Sequence, residues 1–323
     1  MLRTPLCDLL NIEVPIIQAP MGSNFTSADL AAAVTNAGAL GGIGTGNRPV
    51  DDLRAQLARL RELTTGSFAV GHLVTILDPE AFELSLQVKP RAVTFALDDG
   101  GDLMKRVHDA GSLVIQQVGT VEQAERAAEH GADVIVAQGG ESGGFGGSVA
   151  TMILVPQVVD AVRPVPVVAA GGISDGRGLA AALMLGAAGV NIGTRFLTAA
   201  EAPIPDDYKD LIVGARSEDA IKADVFNDIS PLPGAPGYGT TPRAIRTDFI
   251  EEWSAKRDEA RAQAAELMAK MGQAGMSGRM HELVPFAGQT AGAIKQVRPA
   301  SELIEDIVRE AEELLRAAPA YVS

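Results

Sequence analysis

Short apolar runs rich in Val, Ile and Ala recur along the chain at 14–19, 40–43, 68–74, 91–95, 112–118, 133–137, 165–169 and 188–192. Their length and β-branched content read as buried strands. Segments with helical spacing of apolar positions separate them, near 27–37, 51–63, 79–87, 101–110, 120–130, 151–162 and 176–185. Several of these segments end on the same punctuation: Ala37-Gly38-Ala39, Ala110-Gly111-Ser112, His130-Gly131-Ala132 and Leu185-Gly186-Ala187. Glycine just past a helix takes the left-handed conformation that closes the last turn and releases the chain into a strand. Strand and helix in alternation predict a parallel sheet with right-handed crossovers. Eight repeats predict closure into a (β/α)8 TIM barrel rather than an open doubly wound sheet.

The rhythm breaks after Phe196. Residues 199–247 carry Pro203, Pro205, Pro231, Pro233, Pro236 and Pro242, which predicts irregular chain crossing the top of the barrel. Residues 248–272 are charged, Ala-rich helix formers, and Gly272–Met276 reads as a loop. The stretch 300–317 sets Leu303, Ile304, Ile307 and Val308 on one helical face and can serve as the eighth barrel helix. The expected organisation is therefore a barrel of residues 1–200 and 286–323. A small helical and irregular subdomain, 201–285, is inserted between strand eight and helix eight to cover the mouth.

Composition narrows the partners. Aromatic residues are only 4% against 46% hydrophobic, so the core is aliphatic, as in buried parallel sheets. A net charge of −14 disfavours nucleic acid and anionic membranes. The single Cys7 reads as a buried structural thiol. With no signal segment and no long apolar span, the sequence is most simply that of a cytoplasmic enzyme acting on a small molecule. Homo-oligomerisation is left open, and no spacing suggests a metal site.

Candidate chemistry sits at strand ends. Strand seven enters Ala170-Gly171-Gly172-Ile173 and strand eight enters Gly193-Thr194-Arg195-Phe196, one βα unit apart. In a (β/α)8 barrel these two loops form the usual phosphate site, with backbone N–H groups and a helix dipole facing the anion. The acidic composition implies that backbone, not a cluster of Arg and Lys, holds the charge. Asp175 is expected to cap the following helix rather than touch ligand. After strand one comes Gln18-Ala19-Pro20-Met21-Gly22, and after strand six Gln138-Gly139-Gly140-Glu141-Ser142-Gly143-Gly144-Phe145-Gly146-Gly147. The latter is dense enough in glycine to let backbone approach a flat ligand.

Together with Ala37-Gly38-Ala39-Leu40-Gly41 and Ala287-Gly288-Gln289-Thr290-Ala291-Gly292, these motifs resemble the nitronate monooxygenase (2-nitropropane dioxygenase) family, whose pattern flavin-dependent enoyl reductases share. The resemblance implies FMN at the barrel mouth. Ala19, Pro20, Met21 and Gly22 would line the flavin ring. Gln117 and Gln138 would meet the ring edge or ribityl chain. Ser142, Gly143, Gly171, Gly172, Gly193 and Thr194 would hold the phosphate end.

Two departures from the family pattern bear on chemistry. Relatives read Glu-Ala-Gly-Gly-His, whose histidine is the catalytic base; this chain reads Glu141-Ser142-Gly143-Gly144-Phe145. Phe145 accepts no proton, so it becomes a wall of the substrate pocket, and a pre-formed nitronate is a better substrate than its parent nitroalkane. After strand three, relatives read Gly-Val-Asn-Leu; here Val70-Gly71-His72-Leu73 brings an imidazole. His72 is expected either to act as acid/base or to replace Asn as a hydrogen-bond donor to FMN. His108 and His130 are expected on solvent-facing helices, and His281 could reach the mouth. Three functions stand open: an FMN oxidase or monooxygenase of a nitronate, an NAD(P)H-dependent reductase of a quinone or enoyl thioester, and a flavin-free phosphate-binding barrel.

Overall fold

A computed structural model describes residues 2–22, 25–231 and 241–321. Pro233 and Pro236 lie outside the described residues. The strands, in chain order, are β1 (Ile16–Gln18), β2 (Gly41–Gly44), β3 (Phe68–Leu73), β4 (Ala92–Ala96), β5 (Leu113–Val118), β6 (Val134–Gln138), β7 (Gly144–Gly146), β8 (Val167–Ala170), β9 (Gly189–Ile192), β10 (Ala220–Lys222) and β11 (Thr241–Ile245). Eight of them form one parallel sheet, ordered β1-β9-β8-β6-β5-β4-β3-β2. A parallel bridge between Ile17 and Leu40 joins its two ends. All eight apolar runs are thus barrel strands, and the fold is a (β/α)8 barrel. Gly38, Gly111, Gly131 and Gly186 have φ of 87°, 87°, 96° and 92°, the left-handed values expected where helices end.

Alternation along the strands sorts side chains into two cores. Ile17, Ala69, Ala92, Ile115, Val134, Val136 and Val168 fill the barrel interior, together with Leu6, Cys7 and Leu10 of the N-terminal helix Pro5–Leu10. Cys7 is fully buried there. Residues of opposite parity, such as Phe68 and Val70, pack outward against the helices. The final helix, Ala300–Ala317, packs on helices Gly176–Met184 and Ala28–Asn36 and completes the helical ring.

The segment after Phe196 differs from its expected irregularity. It holds helices Asp206–Gly214 and Val225–Ile229 and two strands. β10, β11 and β7 form a second, antiparallel sheet, with Gly144, Phe145 and Gly146 registered against Arg243, Pro242 and Thr241. Strands of three to five residues, one of them interrupted by Pro242, carry too little apolar periodicity to be read from sequence. The helix-forming stretch 248–272 holds three helices: Asp248–Ala255, Arg257–Ala262 and Ala264–Met276. The last absorbs the expected loop at Gly272–Met276. Gly272 and Gly275 cost the helix about 1 kcal/mol each relative to Ala, and the Ala and Met around them carry it through. This region packs its own apolar cluster around Phe226, Phe249, Ile250 and Val284.

Candidate active site

The parity that fills the barrel interior also decides what faces its mouth. Continuing the inward positions of β3, β4, β5, β6, β8 and β9 by two residues gives Gly71, Thr94, Gln117, Gln138, Ala170 and Asn191, and all six line one cavity of about 260 Å³ at the carboxyl ends of the strands. Ala19, Pro20, Met21 and Gly22 border it beside β1, as do Ser142, Gly143 and Phe145 after β6. Gly171, Gly172, Gly193 and Thr194 border it at the two turns read as a phosphate site. The structure therefore brings these predicted site residues to one cavity. Among the described residues, no Lys or Arg lines it. Arg195, next to Thr194, is turned away, donating from Nη1 to Thr198 Oγ1 and the Gln296 carbonyl at 3.0 Å each.

Close backbone approach shapes this floor. A Cβ on Gly71 would stand 2.5 Å from Pro20 Cγ, so glycine there lets the Gln18–Gly22 segment lie flat across the strand ends. Gly171 and Gly172 have φ of 94° and 74°, left-handed values that favour glycine. Asp175 caps helix Gly176–Met184, its carboxylate accepting from Gly178 N at 3.1 Å. Gln117 Nε2 donates to Gln138 Oε1 at 3.0 Å, so the two amides brace one another. Glu141 is taken up structurally: its carboxylate accepts from Thr151 N and Oγ1 at the start of helix Thr151–Ala161. The loop it belongs to is held from the other side by Gln289 N, which donates to the Glu141 carbonyl at 2.9 Å, and Gly288 N donates to Thr194 Oγ1.

His72 corrects an expectation. It sits one residue past Gly71, so its imidazole points out of the barrel against helix Pro79–Gln87 and contributes to the cavity only from β3. Nδ1 lies 3.0 Å from Thr45 Oγ1 and Nε2 lies 2.9 Å from Ser85 Oγ. The ring packs edge-on to Phe82 with centroids 5.4 Å apart. Burial pushes its pKa down to about 4, opposed only by the charge of Asp78. A neutral imidazole with both nitrogens engaged by hydroxyls has neither nitrogen free to exchange a proton with a ligand. His281 also misses the mouth, its ring stacked on Tyr208 and its Nε2 3.0 Å from Asp207 Oδ1. His108 and His130 are partly exposed and paired with Asp133 and Asp99.

Sequence reasoning missed four contributors. Thr94 Oγ1, Asn191 Oδ1 and Ser142 Oγ are buried without a hydrogen-bond partner among the described residues, and all three residues border the cavity. Thr94 and Asn191 were detectable as lone polar residues at inward positions of apolar strands. Phe25 and Phe286 also line the cavity, the latter with ring centroids 6.0 Å from Phe145 and 6.5 Å from Phe25. Nothing local distinguishes them in the sequence.

Comparison with known proteins agrees with this geometry. The profile of the nitronate monooxygenase family matches residues 3–82 and 74–310. A "probable nitronate monooxygenase" of Staphylococcus saprophyticus is 32% identical over 97% of this chain and 99% of its own length. The "(3aS,4S,5R,7aS)-5-hydroxy-7a-methyl-1-oxo-octahydro-1H-indene-4-carboxyl-CoA dehydrogenase" of Mycobacterium tuberculosis is 36% identical over 87% of this chain and 76% of its own. Among solved structures, FabK from Thermotoga maritima superposes with a TM-score of 0.89 at 34% identity, covering all of both chains.

Proposed function

Since the chain belongs to the nitronate monooxygenase family, a group of oxidoreductases, we propose that it is an FMN-dependent enzyme with its cofactor across the barrel mouth. The observation that carries this reading is the set of unpartnered, buried polar atoms around one cavity: Thr94 Oγ1, Ser142 Oγ and Asn191 Oδ1. Buried polar atoms are expensive unless satisfied, so three of them facing one space fit a ligand with many acceptors and donors along its length. The donor set fits FMN. Gly171, Gly172, Gly193 and Thr194 would surround the phosphate with backbone N–H groups, and Ser142 would add a hydroxyl. Gln117, Gln138, Thr94 and Asn191 would meet the ribityl chain and ring edge, and Ala19–Gly22 would lie along the ring. When bound, FMN supplies the redox chemistry, and the protein supplies orientation and exclusion of water.

The substrate we assign is a small, electron-rich anion of the nitronate kind, oxidised with O2. Phe145, at the position where the family pattern has its histidine, packs with Phe286 into an apolar wall of the cavity. Of the ionisable side chains bordering the cavity, Glu141 caps a helix and His72 points away. The residues described here orient an already ionised carbon acid; they do not create it. His72 is assigned a positioning role, holding β3 to its helix.

A second reading is favoured by the same aromatic wall. Phe25, Phe145 and Phe286 could cover an apolar acyl group, consistent with similarity to a dehydrogenase of a carboxyl-CoA. The enzyme would then take reducing equivalents from NAD(P)H and deliver them to an activated double bond or quinone. One experiment separates these readings: anaerobic mixing of the FMN-loaded protein with a nitronate, its parent nitroalkane, NADH and NADPH in turn. Bleaching by nitronate alone supports the primary reading. Bleaching by NAD(P)H alone moves the assignment to the reductase. Failure of the protein to take up FMN rejects both.

A further inference from the structure

The glycine-rich loop after β6 is flexible by composition, yet it must present Ser142, Gly143 and Phe145 at fixed places. Two cations from the covering segment reach it. Arg243 on β11 donates from Nε and Nη2 to the Gly140 carbonyl at 3.2 and 2.8 Å, and from Nη1 to the Ala220 carbonyl. Lys222 on β10 is half-buried, and its ammonium donates to the carbonyls of Gly146, Gly147 and Thr241 at 2.8, 3.0 and 2.9 Å. An ammonium has three N–H donors, and here all three go to main-chain oxygens. Arg243 thus holds the loop before Phe145 and Lys222 holds it after, from strands 103 and about 75 positions away.

We propose that Lys222 is a positioning residue: its charged ammonium is the internal cation that orders the Gly140–Gly147 loop and so fixes Ser142 and Phe145 against the cavity. The role depends on protonation, because a neutral amine keeps two N–H donors for three carbonyls and loses the charge that strengthens each bond. The charged groups around Lys222 are Arg243 on the adjacent strand, which opposes its charge, and Asp224 just after β10, which supports it. Asp224 also accepts from Thr241 Oγ1 at 2.8 Å, and the Glu141 charge acts on Arg243. Burial, with Arg243 beside it, lowers the Lys222 pKa to about 8. The loop is therefore held tightly at neutral pH and loosens as pH rises through that value.

The effect on cofactor and substrate rests on the FMN reading, but the ordering of the loop does not, so the primary measurement uses hydrogen exchange in the FMN-free protein. Amides of residues 140–147, corrected for intrinsic rates, should exchange about tenfold faster at about pH 9 than at about pH 7, the change expected on losing a charge-assisted bond. In Lys222→Met the loop should exchange fast at both values. Ammonium chloride, but not tetramethylammonium chloride at equal ionic strength, should restore protection by supplying a cation of the same size and donor set. Lys222→Arg should keep most protection and abolish the pH step. If Lys222→Met does not fold, the wild-type pH comparison still decides. Equal loop protection at both pH values in the wild type, or a pH step unchanged in Lys222→Arg, overturns the proposal. Loss of FMN uptake with the loop behaviour intact would refute the flavin reading alone.

Discussion

Replacing His72 by Gln should remove a defined part of the protein's acid sensitivity. In the folded chain this imidazole is 1% exposed and protonates only at about pH 4, against 6.5 for the ordinary group. Between these values the unfolded state binds the extra proton, so the contribution of the neutral histidine is fully present above 6.5 and is lost as pH falls toward 4. Integrating that window from about pH 7 to about pH 4.5 gives about 2 kcal/mol lost from this residue. Carboxylates titrate in the same range, but equally in both proteins, so the difference between wild type and variant isolates the imidazole. Gln retains hydrogen-bonding capacity toward Thr45 and Ser85 without a titrating group. Urea unfolding at both pH values, on each protein, should give the wild type the steeper loss. Parallel pH profiles would show that the imidazole ionises freely in the native state, and the assignment of a neutral, buried positioning role would fail.

Three further outcomes test the site and its scaffold. Thr94→Val should leave the FMN-free protein as stable or about 1 kcal/mol more stable, since it removes an unpartnered oxygen, while weakening FMN binding about tenfold; a fluorescence titration with unchanged affinity would detach Thr94 from the cofactor. Gly171→Ala places a Cβ 2.8 Å from the Gly139 carbonyl at a φ of 94°, so it should cost at least about 1–2 kcal/mol in urea unfolding and abolish tight FMN uptake. Asp175→Ala should cost about 1 kcal/mol through loss of the helix cap, with FMN affinity reduced far less than in Gly171→Ala; equal losses of affinity would place Asp175 on the ligand after all.

The barrel was legible because its signals are local. Each apolar run had the length and composition of a buried strand, and four helix stops carried a glycine whose backbone angle could be stated in advance. The two turns read as a phosphate site stand at strand ends for the same reason, with Gly171-Gly172 and Gly193 following directly on β8 and β9. His72 was misjudged because the motif drew attention to residue type, whereas the period of two along β3 already set its direction: Ala69 and Gly71 face inward, so His72 cannot. Asn191 and Thr94 yield to the same reasoning in the opposite sense. The small antiparallel sheet was not legible. Its strands are three to five residues long, come from segments nearly a hundred positions apart, and are selected by tertiary pairing and by Lys222 and Arg243 finding carbonyl oxygens, none of which leaves a local trace. The helical stretch 248–276 shows the converse, where glycines that usually punctuate are overruled by neighbouring helix formers.

The second sheet also constrains how this enzyme can diversify. Because β7 lies in the loop after barrel strand β6, and β10 and β11 lie in the segment after Phe196, the two stretches are woven into one ladder. A segment stitched to the barrel in this way cannot be exchanged between relatives like a cassette, nor lifted as a rigid flap without tearing main-chain hydrogen bonds. Any graft that carries 220–245 into a relative must bring 140–147 with it.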